Sequence, residues 1–306
     1  MNLMDKIGIS YKAGYLVQGN QLERCKTSTS LKVNNTELQI RTDGKDSDIS
    51  SISKSYKGNI IFHVPAINPD LSNLKFVNEL VKKIKDNNVK LISINASNLS
   101  SDLFEWSTLD EQKKYFLNIV TSVATLASNK IEVAIENLKL SDANSMFGSN
   151  ITQITDIIVY SRRLLIRDFG FEEEEAEKYI GLSLNIDNID LGDESESILN
   201  YFEVFNKSIK LVKISNLEKL ELVLDYIVDK NYNVPLLLQT SSELEEVKNE
   251  YLKLVSIVSK RCSESVPSLE IKENNENKGF SNIIIITMII LTIVIVGLMF
   301  FIKIKI

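Results

Sequence analysis

The run IEVAIEN, residues 131–137, decides the fold. Ile131, Val133, Ala134 and Ile135 lead into Glu136, and a short apolar run of this kind is the mark of a strand covered on both faces in a parallel sheet. In such sheets ligands bind beyond the C-terminal strand ends, so Glu136 is the first candidate functional residue. The same grammar of apolar run, polar terminal residue and helical periodicity repeats on both sides of it.

Upstream, IGISY (7–11), LQIR (38–41), NIIFHVP (59–65) and VKLISI (89–94) read as strands, with His63 and Asn95 at the ends of the last two. Between Gly14 and Lys57 the pattern is poor, rich in Ser, Thr, Asn and Asp, and the tract from Asp43 to Ser55 suits a loop with an ill-defined helix. Val77, Leu80, Val81 and Ile84 share one helical face. Thr108 and Glu111 predict a capping box, and Asn129 a helix end. Downstream, residues 151–167 are helical in pattern, and the acidic run 172–175 opens a short helix favoured by the helix macrodipole. YIGLSL (179–184) delivers Asn185, Asp187 and Asn188; IKLVKI (209–214) carries Lys213, with Asn216 beyond it; VPLLL (234–238) ends at Gln239. Helices follow at 194–205, around Leu220 to Ile227, and at 242–261.

Eight strands alternating with helices imply parallel pairing through right-handed crossovers, and the number and length match a (β/α)8 TIM barrel over residues 1–262. An open doubly wound sheet would need a glycine-rich phosphate loop after an early strand, and none is present. The formal charge of −6 offers no general attraction for nucleic acid, so none is expected as a partner. Cys25 and Cys262 lack metal-binding or redox spacing and are expected to be reduced.

Residues 283–302, IIIITMIILTIVIVGLMFFI, form an uncharged apolar run long enough to cross a bilayer as a helix. Residues 263–282 are polar and unpatterned, as in a flexible tether. The expectation is a single-pass, tail-anchored membrane protein with its barrel in the cytoplasm, since the first residues lack the apolar run of a secretion signal. Charges flanking the span do not fix its orientation.

The motifs FHVP, IEVAIEN, GLSLNIDN, IKLVKISN and VPLLLQT, in this order and spacing, resemble the xylose isomerase-like TIM barrels, the superfamily of sugar isomerases, epimerases and apurinic endonucleases. That resemblance implies a divalent metal at the barrel mouth held by Glu, Asp and His from successive strand ends. Glu136, with Asn137 and Leu138 behind it, matches the family glutamate, and His63 matches a histidine of the endonuclease branch. Asn95, Asn185, Asn188, Lys213, Asn216 and Gln239 stand where the family has histidine, aspartate, histidine, histidine, aspartate and glutamate.

Amide oxygens carry no charge to offset desolvating a dication. An ammonium about 4 Å from a dication costs on the order of 8 kcal/mol at an effective dielectric near 20. Neither metal nor another cofactor is therefore expected, and Lys213 is expected to pair with Glu136 in the metal's electrostatic place. The implied function is a membrane-tethered, non-catalytic binding or scaffold module with an unidentified protein or small polar ligand at its mouth. Two alternatives remain open: a sugar isomerase or epimerase with a rearranged metal site using Glu136 and Asp187, or Schiff-base chemistry at Lys213. An apurinic endonuclease-like hydrolase is the least favoured branch. Phe104, Trp106 and Phe147 are candidates to line a mouth pocket.

Overall fold

The structure, a computed structural model, describes residues 3–11, 21–40, 56–64, 74–96, 108–139, 148–189, 194–229, 233–240 and 244–264. Eight parallel strands, β1 (Ile7–Tyr11), β2 (Asn35–Gln39), β3 (Asn59–Val64), β4 (Leu91–Asn95), β5 (Glu132–Glu136), β6 (Ile180–Asn185), β7 (Ile209–Ile214) and β8 (Leu236–Gln239), close into a barrel in chain order. Between them run α1 (Gln21–Ser30), α2 (Leu74–Asp86), α3 (Leu109–Ser128), α4 (Ile151–Phe169), α5 (Glu173–Tyr179), α6 (Glu194–Phe205) and α7 (Leu220–Asp229); α8 (Leu244–Glu264) follows β8. The barrel belongs to the first of two compact units, residues 1–263.

Local chemistry sets the boundaries. Thr108 caps α3, accepting from the Glu111 backbone N–H while the Glu111 carboxylate accepts from that of Thr108. Asn150 caps α4, which stops at Gly170 in the left-handed region.

Side chains alternate along each strand. Those pointing outward, including Ile9, Leu38, Phe62, Ile92, Ile94, Val133, Ile135, Leu182, Val212 and Leu238, merge with Ile84, Val123, Ile154, Leu224 and Leu254 of the helices into one core. Those pointing inward begin with a small separate plug of Ile61, Leu211 and Leu237 packed with Leu91. Above the plug, toward the C-terminal strand ends, the interior turns polar.

Gly8 is required by the plug. A Cβ there would run into the Asn35 carbonyl oxygen and the Leu237 side chain, one of them rigid backbone. Gly8→Ala is expected to cost roughly 1–3 kcal/mol through overpacking, read as a lowered urea midpoint at unchanged slope.

Three sequence expectations need correction. The second strand is Asn35–Gln39, beginning three residues before the expected 38–41, and Gln21–Ser30, where no element is expected, is helical. Polar residues dominate both segments; burial inside the barrel overrides the weak propensity of the strand, and Arg24, Cys25 and Ser28 bury one face of the helix. Helix α8 runs through Ser263 and Glu264, two residues past the expected start of the tether. The remaining tether, the apolar run 283–302 and the loop aromatics Phe104, Trp106 and Phe147 lie outside the described residues. Among the described residues no helix is long and apolar enough to cross a membrane.

Candidate functional site

The polar layer inside the barrel is built by alternating small and long side chains. Ser10, Ser93, Ala134 and Ser183 point inward from β1, β4, β5 and β6, leaving room for Glu37, His63, Glu136 and Lys213 from β2, β3, β5 and β7. The register places Ser10 beside Glu37, His63 beside Ser93, and Glu136 beside Ser183. All four long side chains are at most 1% exposed.

Lys213 Nζ sits at the centre. It lies 2.5 Å from Glu37 Oε1 and 2.6 Å from Glu136 Oε2, and donates to Ser93 Oγ at 3.0 Å. The three ammonium protons thus have three acceptors, the condition under which a buried amine stays charged without leaving a donor unmet. Ser93 in turn donates to Glu37 Oε1 at 2.5 Å, and Ser10 donates to the other Glu37 oxygen. His63 Nδ1 lies 2.8 Å from Ser93 Oγ and 3.4 Å from Glu136 Oε2.

Electrostatics follow from this packing. Burial pushes the Glu37 carboxyl up, but the Lys213 ammonium and His63 together outweigh it and hold Glu37 below the usual carboxylate range. Burial pulls Lys213 down, and the Glu136 and Glu37 carboxylates together more than reverse that pull, so its pKa is raised. Lys213 is a held cation.

A second network closes the layer on the mouth side. Asn185 Nδ2 donates to Glu136 Oε1 at 3.0 Å and to Gln239 Oε1 at 2.9 Å, joining β5, β6 and β8. Asn137 bridges β5 to β6, donating to the Asn185 carbonyl at 2.9 Å and accepting from its N–H at 2.6 Å. Asn188 donates to the Asn137 carbonyl at 2.8 Å. The Asp187 carboxylate is spent on the backbone N–H groups of Ser215 and Asn216.

Of the sequence candidates, His63, Glu136 and Lys213 converge at the centre, and Asn185 and Gln239 join them through hydrogen bonds. Asn95 sits next to Glu136 in register, and its Oδ1 is buried without a hydrogen-bond partner among the described residues, as is Ser183 Oγ. Asp187, Asn188 and Asn216 serve backbone turns; Asn216 is exposed and caps the turn at Leu217–Lys219. The residue missed by sequence is Glu37. Its signal is present in NTELQ, where Asn35, Glu37 and Gln39 alternate with Thr36 and Leu38 at period two.

These residues do not fit a divalent metal. The two carboxylates that would hold one both contact the Lys213 ammonium, which occupies the space between them, and the remaining polar groups beside them are the His63 imidazole, amides and hydroxyls.

Comparison with solved structures supports the fold of the barrel. D-psicose 3-epimerase from Clostridium cellulolyticum H10 is 12% identical over 83% of this chain and 99% of its own, with a TM-score of 0.59. A xylose isomerase domain protein from Planctomyces limnophilus is 11% identical over 85% of this chain and 98% of its own, at 0.55. The fold is a TIM barrel similar to those of xylose isomerase domain proteins. An AP endonuclease of family 2 from Brucella melitensis is also similar, at 13% identity over 78% of this chain and 93% of its own and a TM-score of 0.56. No protein-family model matches the sequence, and no curated protein matches it. At these identities the likeness of the xylose isomerase-like barrel is one of fold, and function has to be argued from the site.

Proposed function

We propose that the chain is a metal-independent, non-catalytic xylose isomerase-like barrel that binds a protein or a small polar ligand at its mouth. Residues 283–302 hold it at a membrane, with the barrel on the cytoplasmic side. The observation that carries the reading is the Lys213 ammonium clasped between Glu37 and Glu136 where a dication would need both carboxylates. The unmet Asn95 Oδ1 and Ser183 Oγ support a polar ligand, which would supply them with hydrogen bonds. Cys25 and Cys262 form no disulfide, in keeping with a reducing compartment.

Calorimetric titration of the full chain in non-ionic detergent with Mn²⁺, Mg²⁺ and Zn²⁺ tests the metal part. No binding at micromolar metal is expected. Micromolar binding that Glu136→Gln abolishes would overturn it. For the membrane part, the chain is expected to stay with the membrane fraction through a carbonate wash, and deletion of residues 283–302 to release it; a wild-type chain recovered in the soluble fraction would reject the anchor.

The second reading is a divalent-metal-dependent sugar epimerase acting through Glu136, favoured by the likeness to D-psicose 3-epimerase. Its discriminating result is ketohexose epimerisation that is lost both on chelation and in Glu136→Gln. Schiff-base chemistry at Lys213 has the geometry against it. An amine whose three protons are held by two carboxylates and a hydroxyl has no lone pair to attack a carbonyl.

A further inference from the structure

The opposite end of the barrel carries a different feature. A cavity of about 930 Å³ opens on the face where the strands begin, below the plug residues Ile61 and Leu91, which form part of its lining. The plug separates it from the Lys213 layer. Among the described residues, Lys6, Lys57, Lys90, Lys207 and Lys210 line it against a single acid, Glu132. In a chain of formal charge −6 this is a local reversal of sign. None of the five ammonium groups is within ion-pair distance of a carboxylate among the described residues.

Chain geometry brings these lysines together from separated strands. Lys6 precedes β1, Lys57 and Lys90 precede β3 and β4, and Lys207 and Lys210 stand before and within β7. Lys210 is there because of a bulge. Leu182 pairs with Ile209 and Ser183 with Leu211, so Lys210 is the extra residue opposite no partner. Such bulges are rare between parallel strands and re-aim a side chain. Its stem crosses Gly181, where a Cβ would stand 2.8 Å from Lys210 Cγ.

We infer that this cavity is a second ligand site, built for a small molecule that carries at least two phosphate groups and free hydroxyls. Five lysines against one carboxylate leave an excess of four positive charges, which about two phosphates of roughly −2 each would neutralise. Lysine ammonium groups are point-charge donors suited to phosphate oxygens. Asparagines supply the hydroxyl contacts: Asn59 and Asn206 line the cavity, and Asn87 lines it with its Oδ1 buried and unmet among the described residues.

Helix C-termini also lie on this face and favour cations by their dipoles, which accounts for Lys207 just after α6. They do not account for Lys57 before β3 or for the bulged Lys210. Burial lowers the Lys210 pKa, against the raising pull of Glu132, so a bound anion would relieve it. The chemistry is shared by a free inositol phosphate and by a phosphoinositide headgroup.

The test uses the full chain in non-ionic detergent with an inositol trisphosphate, inorganic phosphate and a single-stranded oligonucleotide as probes. The chain reconstituted in phosphatidylcholine vesicles, with and without a phosphatidylinositol bisphosphate, supplies the lipid arm. The trisphosphate is expected to bind far more tightly than inorganic phosphate, and less tightly as salt rises. In the Lys90→Gln, Lys207→Gln double variant, whose two lysines are exposed, affinity should fall at least about tenfold because a charge-assisted hydrogen bond is worth that much or more. Its melting temperature should be unchanged. The Lys113→Gln, Lys114→Gln pair on α3, outside the cavity, should bind like wild type. Competition of the bisphosphate vesicles with the soluble trisphosphate assigns a lipid source; competition by none of the vesicles assigns a free one. No trisphosphate binding, equal loss in the α3 pair, or equal binding of the oligonucleotide would overturn the assignment. None of these outcomes depends on metal binding at Lys213.

Discussion

Lys213→Met destabilises the folded chain by about 3–5 kcal/mol, the usual result of removing one partner from a buried ion pair. Methionine keeps the length and much of the volume, so the loss isolates the ammonium. Without it Glu37 and Glu136, both within 2.6 Å of Nζ, face each other across a buried layer with His63, Ser10, Ser93 and Asn185 as remaining neighbours. Urea denaturation at pH 7 measures the change. Because whole-domain stability is itself on the order of 5–15 kcal/mol, the effect is a large fraction of the total. The triple variant Glu37→Gln, Glu136→Gln, Lys213→Met separates charge from packing. Neutral amides in the same positions should recover most of the loss, since a buried pair and its uncharged replacement are often close in stability. A single-variant loss below about 1 kcal/mol would mean that the ammonium is solvated and that the clasp is not formed.

The clasp was half legible in the sequence. Glu136 and Lys213 stand at or near the ends of two plainly apolar strands, IEVAIEN and IKLVKIS, and the strand-end rule sends both toward the mouth. Their contact follows from closing an eight-stranded barrel. Glu37 was hidden because its strand is polar on the inward face and has no apolar run to announce it. NTELQ is buried along most of its length all the same, with Thr36 donating to the Tyr56 hydroxyl and Asn35 to the Lys6 carbonyl. Pairing with the neighbouring β1 and β3 supplies those partners, and local propensity cannot register them.

The N-terminal cavity was illegible for a related reason. Its lysines are spread from residue 6 to residue 210, singly, with no basic run to mark them. Register adds the rest: the displacement of one residue in β7 that turns Lys210 out of the alternation has no signature in IKLVKI. By contrast the helices with full apolar stripes were readable, because their periodicity encodes burial directly. Val77, Leu80, Val81 and Ile84 of α2 are all core residues.

Wild type and Lys213→Met converge in stability as pH falls from neutrality toward the carboxylate range. In the wild type the Glu37 pKa is held below its usual 4.5. Its stabilising contribution is therefore fully present above 4.5 and is lost as pH falls through the folded value. In the variant the depressing ammonium is gone, while burial and the Glu136 charge, both of which raise the pKa, remain and outweigh the smaller lowering pull of His63. A carboxyl raised in the folded state takes up its proton on folding, so the variant gains stability as pH falls from that raised value to 4.5, and the wild type loses its own contribution below 4.5. Each proton of difference changes the gap by about 1.4 kcal/mol per pH unit. Lys213 itself, raised above its usual 10.5, contributes stability that is fully present below 10.5 and lost above. That alkaline limb is a poorer readout. Burial raises the pKa of Tyr11 and Tyr201 to about 12, and these phenols ionise first in the unfolded chain, destabilising both proteins together above about pH 10. The acid limb is the one to measure. Urea midpoints for both proteins between pH 7 and pH 4 should draw together, and parallel curves would show that Glu37 does not sense Lys213.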